Sequence, residues 1–261
     1  MRIPGTLGAL VCLAGLACAP SGPPENLEPT DLFRWAVDRF SEGRYGDAVD
    51  GFQAFIIRDP LNPLADSAGY MIGETRFMWG RELEAAADFS RFATNRPGSE
   101  LADDAQLGVC RSYLAASPGV SLTQEFTRLA IEECDRLLQF FPGSPLTAQA
   151  AQYVLEARAK LAEKSFEIGK YYQDNRRIPG SAIVYYEKAI ADGPSLELFP
   201  KLLFRMWQVY DQQGFSDEAA AARERLLTEF PDSGEAGRMR GGDNDPGARE
   251  EPPLPVERAP K

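Results

Sequence analysis

The sequence predicts an all-α protein, a superhelical array of about five helix-turn-helix repeats, and three observations predict it. The first is a beat of alanine followed twelve residues later by proline: Ala48/Pro60, Ala85/Pro97, Ala130/Pro142, Ala182/Pro194 and Ala219/Pro231. The second is a pair of apolar columns between those marks. Eight residues before each proline stand Phe52, Phe89, Cys134, Tyr186 and Arg223, and five before it stand Phe55, Phe92, Leu137, Ala189 and Leu226. Spacings of four and three place these columns on one helical face. The proline then ends the helix, because it lacks an amide donor and clashes with the preceding turn. The third observation is a glycine column, Gly43, Gly80 and Gly214, seventeen residues ahead of the respective prolines, which marks the turn into that helix.

Taken in order, the chain starts with Met1-Arg2-Ile3-Pro4 and an uncharged small and apolar stretch through Ala17, too short to span a bilayer. It reads as a secretory signal over 1–17. The string Leu13-Ala14-Gly15-Leu16-Ala17-Cys18 is similar to a bacterial lipobox, which makes Cys18 the lipidation site and the new N-terminus. Gly15 departs from the usual leucine there. Cys12 is a poorer site, since β-branched Val11 precedes it, and an ordinary cleaved signal is the alternative. Ala19 after the cysteine, rather than aspartate, favours the outer membrane under an enterobacterial-type sorting rule. Residues 18–29, rich in proline, form a flexible tether.

The repeat domain is expected over 30–234, with repeats at 30–65, 66–101, 102–146, 147–197 and 198–234. In the first, Thr30 or Asp31 caps helix A, Gly43 and Gly46 make the turn, and Asp47 caps helix B. The second restates this with Tyr70, Ile72, Gly73, Arg76 and Phe77, a turn at Gly80, and a helix from Glu84 to Arg96. The third has helix A from Gln106 to Ala116, a longer loop around Ser117-Pro118-Gly119, and helix B from about Ser121 to Phe141. In the fourth, an uninterrupted pattern from Leu146 to about Asn175 predicts a helix of roughly 45 Å, expected to span the array and connect two halves. The turn Arg176 to Gly180 leads into helix B, Ser181 to Ala191. The fifth is compact, with Trp207 and Tyr210 on helix A. From 235 to 261 the composition is acidic and Pro-rich and lacks the apolar residues that offset ordering entropy, so the tail is expected to be disordered.

Composition narrows the function. The 261 residues carry 28 Lys+Arg against 39 Asp+Glu, a net charge of −11, and no histidine. Such a balance argues against nucleic acid as partner and against broad adhesion to anionic lipid. Without histidine the usual triad base and the commonest metal ligand are missing. No Gly-rich phosphate loop, Cys-x-x-Cys or nucleophile elbow is present. We therefore expect no enzyme, no catalytic residue, no metal ligand and no cofactor. A hydrolase built on carboxylates would need two of them converging on a pocket with shifted pKa values.

Two helices with Ala and Pro twelve apart and a glycine turn constitute the tetratricopeptide pattern. The proline spacings here are 37, 45, 52 and 37. Five such repeats behind a lipoprotein-type leader, with closings Phe141-Pro142-Gly143-Ser144 and Phe230-Pro231-Asp232-Ser233, resemble the BamD (YfiO) family of outer-membrane assembly lipoproteins. Asp135-Arg136-Leu137-Leu138, Leu161-Ala162-Glu163 and Ile168-Gly169-Lys170-Tyr171-Tyr172 stand in that family's order. The resemblance implies a lipid-anchored scaffold on the periplasmic face of the outer membrane, part of the β-barrel assembly machinery. Its partners would be the periplasmic domains of the barrel-forming subunit, other assembly lipoproteins and unfolded outer-membrane proteins. A periplasmic tetratricopeptide adaptor of envelope or peptidoglycan machinery, of the Tol-associated coordinator type, is the alternative.

In such arrays helix A lines the concave face, which makes Phe33, Val37, Tyr70, Glu74, Leu107 and Arg111 the expected peptide-binding groove. An apolar and aromatic groove with a cation suits an extended peptide ending in an aromatic residue and a carboxylate. The same aromatics could equally pack between repeats. Cys110 and Cys134, in the third repeat, either bridge or remain buried thiols. Glu132-Glu133 and Glu250-Glu251 read as solvated charges, and Trp35, Trp79 and Trp207 as inter-helix packing.

Overall fold

The computed structural model describes residues 22–241, so the leader 1–17, Cys18 and the tail beyond Gly241 lie outside the described residues. Within them the chain is all-helical. The elements are α1 Pro29–Ser41, α2 Tyr45–Arg58, α3 Ala65–Met78, α4 Glu82–Asn95, α5 Ala102–Ala115 and α6 Glu125–Phe140. They continue as α7 Thr147–Lys170, a π-helical turn Tyr171–Arg176, α8 Pro179–Asp192, α9 Leu198–Gln213, α10 Ser216–Glu229 and α11 Gly234–Gly241. Successive helices pack antiparallel partners, α1 on α2, α2 on α3 and α3 on α4, then α6 on α7 through α9 on α10. This is a helical repeat array.

The expected single repeat domain divides into two compact units, one ending at Ser112 and the other starting at Tyr113, inside α5. The long helix α7 therefore lies within the second unit and does not join two halves.

Each mark of the beat has a physical job. After α1, α3 and α9 the chain turns through Gly43, Gly80 and Gly214 at φ 73°, 73° and 77°, which only glycine adopts without strain. The next amides reach back five residues, Arg44 to Arg39, Arg81 to Arg76 and Phe215 to Tyr210, closing Schellman caps at 2.8, 2.9 and 3.0 Å. The carbonyls of Arg44, Arg81 and Phe215 then accept the amides of Ala48, Ala85 and Ala219, so each alanine is the residue on which helix B is nucleated. Ala48, Ala85, Ala130 and Ala182 are fully buried, where a larger side chain would hold the paired helix away.

At the other end the residue before proline leaves the helical region, as its neighbour's ring requires: Asp59, Arg96, Phe141 and Phe230 have φ between −142° and −125°. Their carbonyls accept the amides of Asn62, Ser99, Ser144 and Ser233. Those same side chains then accept the amides of Leu64, Leu101, Leu146 and Ala236 at 3.0, 3.4, 3.1 and 3.1 Å, starting the next helix. An Asn or Ser two residues after the proline is thus a fourth column of the repeat, legible in the sequence beside the other three.

Several boundaries differ from expectation. Helix α1 starts at Pro29, whose fixed φ suits a first helical position, without a side-chain cap from Thr30 or Asp31. Asp47 is no cap either; it stands in the first turn of α2 and pairs with Arg44. The tether is pinned at Leu27, which packs on the first core cluster and accepts a 3.0 Å bond from Arg58 Nη1. Helix α6 starts at Glu125 rather than Ser121, because the loop before it is held by side chains. Gln124, only 1% exposed, donates to the carbonyls of Gly119 and Leu122, and α7 reaches over with Lys160 on Ser117 O at 3.0 Å and Lys164 on Leu122 O at 2.5 Å. Past Gly234, where order was expected to stop, α11 continues to Gly241. Ala236 and Met239, three residues apart, bury one side of it in the cluster formed with Leu203 and Leu226.

Trp35 and Trp207 pack against core clusters. Trp79, though part-exposed, also packs between helices: its ring lies over Gly46 of α2, where a Cβ would come within 3.4 Å, and the Arg81 guanidinium stands 3.7 Å from the ring centroid. Glu132 and Glu133 both pair with Arg136, one turn on, at 3.4 and 3.1 Å.

Candidate functional site: the helix A face of the first unit

The core of the first unit sets the stage for its helix A face. Phe89, in the proline-minus-eight column, sits where α3 and α5 both present glycine: a Cβ at Gly73 or Gly108 would lie 2.6 or 2.7 Å from its ring. Glycine is required at both positions for α3 and α5 to close on that ring. The close approach brings side chains one turn away on α3 and α5 into contact.

Those side chains are Tyr70, Glu74, Asp104 and Arg111. The Arg111 guanidinium donates to Glu74 and lies 4.4 Å from the Phe77 ring centroid and 5.5 Å from that of Phe89. Tyr70 packs its ring 5.5 Å from Phe89 and turns its hydroxyl to the Glu74 carboxylate. Burial first, and then that hydrogen bond to Glu74, push the Tyr70 phenol well above its ordinary range. Asp104 is also shifted upward, chiefly by burial and then by the neighbouring Asp103 and Glu74, with Arg111 opposing. The result is one guanidinium bonded to Glu74, with Asp104 within its electrostatic reach, over an aromatic floor in a partly desolvated setting.

Of the six expected groove residues, the structure brings Tyr70, Glu74 and Arg111 together. Phe33 lies edge-on to Phe52 and Phe55, with centroids 5.6 and 5.3 Å apart, and joins the core packing. Leu107 is buried, and Val37 is 36% exposed on α1. The cation is not waiting alone, since Glu74 already occupies it. Asp104, missed at the sequence level, completes the cluster; it stands seven residues before Arg111, two turns along the same helix face, which is the signal that could have found it.

A second charged centre, also missed, ties α3 to α4. Asp88 is buried, its side chain 3% exposed, and takes Arg76 Nη1 at 2.5 Å together with Arg91. Cys110 on α5 and Cys134 on α6 are both fully buried, and each is disulfide-bonded. Among the described residues no helix is long and apolar enough to cross a membrane.

Comparison with known proteins adds the following. Among solved structures, similar ones include a tetratricopeptide repeat protein from Parabacteroides merdae, 15% identical over 82% of this chain and 84% of that one, with a TM-score of 0.36. Another is the Pseudomonas aeruginosa pilF protein, 14% identical over 83% and 82%, with a TM-score of 0.34. A third is a thermophilic TPR protein of Thermus thermophilus, 16% identical over 82% and 97%, also at 0.34. No curated protein sequence matches the chain. The family model described as YfiO, outer membrane lipoprotein, matches residues 25–226, from just before α1 into α10. With the match running through all five helix pairs, the chain belongs to the YfiO family of outer membrane lipoproteins.

Proposed function

We propose that this protein is a non-enzymatic scaffold of the outer-membrane β-barrel assembly machinery, held at the periplasmic face by lipid on Cys18. It binds the periplasmic domains of the barrel-forming subunit, associates with other assembly lipoproteins and receives unfolded outer-membrane proteins. The observation that carries this reading is the family match over residues 25–226, which takes in every repeat rather than a single motif. Co-purification from native membranes tests it: a barrel protein with periplasmic repeat domains is the expected partner. Depletion of the scaffold with unchanged outer-membrane protein levels overturns it. Fatty-acid labelling of wild type but not of Cys18→Ser is expected, and label retained in the variant rejects the anchor.

In this reading the Tyr70, Glu74 and Arg111 cluster receives the C-terminal end of a substrate, Val37 and the part-buried Phe33 of α1 are further apolar contacts, and Leu107 supports the face from the core. Because Glu74 takes only one of the Arg111 donors, an incoming carboxylate adds a charge-assisted bond to the guanidinium, and the aromatic residue that travels with it adds apolar burial. A peptide ending in phenylalanine and a free carboxylate should therefore bind the mature chain more tightly than its amidated form, by about tenfold. Glu74→Gln should tighten the free-acid peptide and Arg111→Ala should abolish the preference. Equal affinity for both peptides, read by fluorescence anisotropy, rejects this site. Finally, Cys110 and Cys134 pair with each other in this reading, supported by the burial and bonded state of both. A single cross-linked peptide containing both residues in a non-reducing digest is the expected result.

A further inference from the structure

At Lys170 the α-helical ladder of α7 gives way to the π-helical turn Tyr171–Arg176, and Arg177 follows at φ 54° in the left-handed region. A non-glycine residue there is strained, and the turn persists because it is braced from behind. The Tyr186 hydroxyl donates to Gln173 at 2.6 Å, and Arg205 of α9 donates to Asp174 at 3.0 Å. In front, the turn shows a ladder of tyrosines. Tyr171 meets Tyr172 edge-on at 5.9 Å, and Tyr172 stacks on Tyr185 at 5.5 Å with planes 10° apart. Tyr171 is 50% exposed, and Ile178 and Val184 flank the ladder at 42% and 60%. Arg176 and Arg177 are exposed beside it, and among the described residues neither pairs with a carboxylate. Two adjacent unpaired guanidinia are unusual in a chain of net charge −11. Tyrosine and arginine together over a braced backbone are the composition of an interface centre.

The occupant with the matching chemistry lies in the same chain. The C-terminal segment reads Glu250-Glu251-Pro252-Pro253-Leu254-Pro255-Val256, an acidic pair followed at once by the only apolar run beyond Gly241. Carboxylates suit the arginine pair, and a proline-rich sequence suits a stack of aromatic rings because proline's fixed φ leaves less to order on binding. Reach is also met. Arg238 of α11 lies 5.9 Å from the ring of Phe204, and the neighbouring Arg205 is the residue that grips the turn through Asp174. The chain thus leaves α11 near the stretch of α9 that holds the site. From Gly241 to Glu250 it can extend about 30 Å.

We propose that the tyrosine and arginine face of the π-helical turn is the docking site of the chain's own C-terminal segment, with Glu250 and Glu251 on Arg176 and Arg177 and the proline run on the tyrosine ladder. A tethered segment binds at high effective concentration, so exposed ion pairs suffice to populate the docked state.

Hydrogen exchange read by mass spectrometry on the purified, full-length mature chain, with no partner present, tests this. Amides of residues 171–178 should exchange roughly threefold more slowly in wild type than in E250K/E251K, as expected for a weak tethered contact. Since Glu250 and Glu251 lie outside the repeats, that variant changes docking without touching the packed helices. R176E/R177E should lose the same protection, and combining all four reversals should restore it. Equal exchange in wild type and E250K/E251K overturns the proposal, as does failure of the combined variant to recover protection. Protection that grows with protein concentration also overturns it, by showing that a second copy is the occupant.

Discussion

Asp88 is a buried carboxylate of the first unit that two arginines share. Its carboxylate is almost fully buried between Arg76 of α3 and Arg91 of its own helix. Removing it leaves Arg76 with a charge at the helix interface, countered among the described residues by Glu84 at 3.6 Å. Asp88→Ala should therefore cost about 2 kcal/mol in urea unfolding, below the full price of breaking a buried pair because both arginines keep partial access to water. Asp88→Asn should fall between, since it retains an acceptor. Asp104 should behave oppositely. A carboxyl whose folded-state pKa is raised binds its proton more tightly folded than unfolded, so its ionised form opposes folding at neutral pH and stability recovers as pH falls through the raised value. Asp104→Asn should then raise the thermal midpoint at pH 7, by no more than about 2 °C. The gain should disappear in acid, where the wild-type group is already protonated. Of this cluster, Tyr70, Glu74 and Arg111 were legible because they fall at helical spacing on helices A. The Glu74 to Arg111 pairing was not, because the partners are 37 residues apart and only the packing of α3 and α5 around Phe89 brings them together.

At the scale of elements, the array departs from regular repeats in two places, the loop before α6 and the helical run of α7. These are physically linked. The loop satisfies several of its carbonyls on Lys160 and Lys164, so the long helix is what gives the inserted residues a fixed path. Replacing Lys164 by methionine keeps the aliphatic stem and removes the donors. Amides of 117–124 should then exchange about fivefold faster while the helices keep their protection, the effect of losing roughly one net hydrogen bond. Unchanged exchange in that loop would place its stability in Gln124 and Thr127 instead. The sequence showed the insertion and the over-long helix through the stretched proline spacing. It could not show the π-helical turn, because Tyr171–Arg176 continues the same polar and apolar pattern as α7, and the extra residue is accommodated by the Arg177 and Ile178 amides both reaching back to Tyr172 O, the latter at 3.0 Å.

For the whole molecule, stability in a repeat array is a sum of units and their nearest-neighbour interfaces, and the last unit needs a polar outer cover. Helix α11 is that cover, resting on α9 and α10 through Ala236 and Met239. Met239→Asp should loosen α9 and α10, lowering the thermal midpoint by a few degrees and raising exchange there, while α1 to α4 keep wild-type protection. A uniform rise across all helices would mean the chain unfolds as one cooperative body. By itself the sequence determined the helices, their repeat and their turns, because alanine, glycine and proline act through backbone sterics that need no distant partner. It also determined the family, through motifs laid out in order along the chain. Only the tertiary structure decided that the array divides within α5, that the expected cation on helix A is already held by a carboxylate, and that α11 closes the last repeat. Each of these rests on a contact between residues far apart in the chain, whose free energy exists only once the helices have packed.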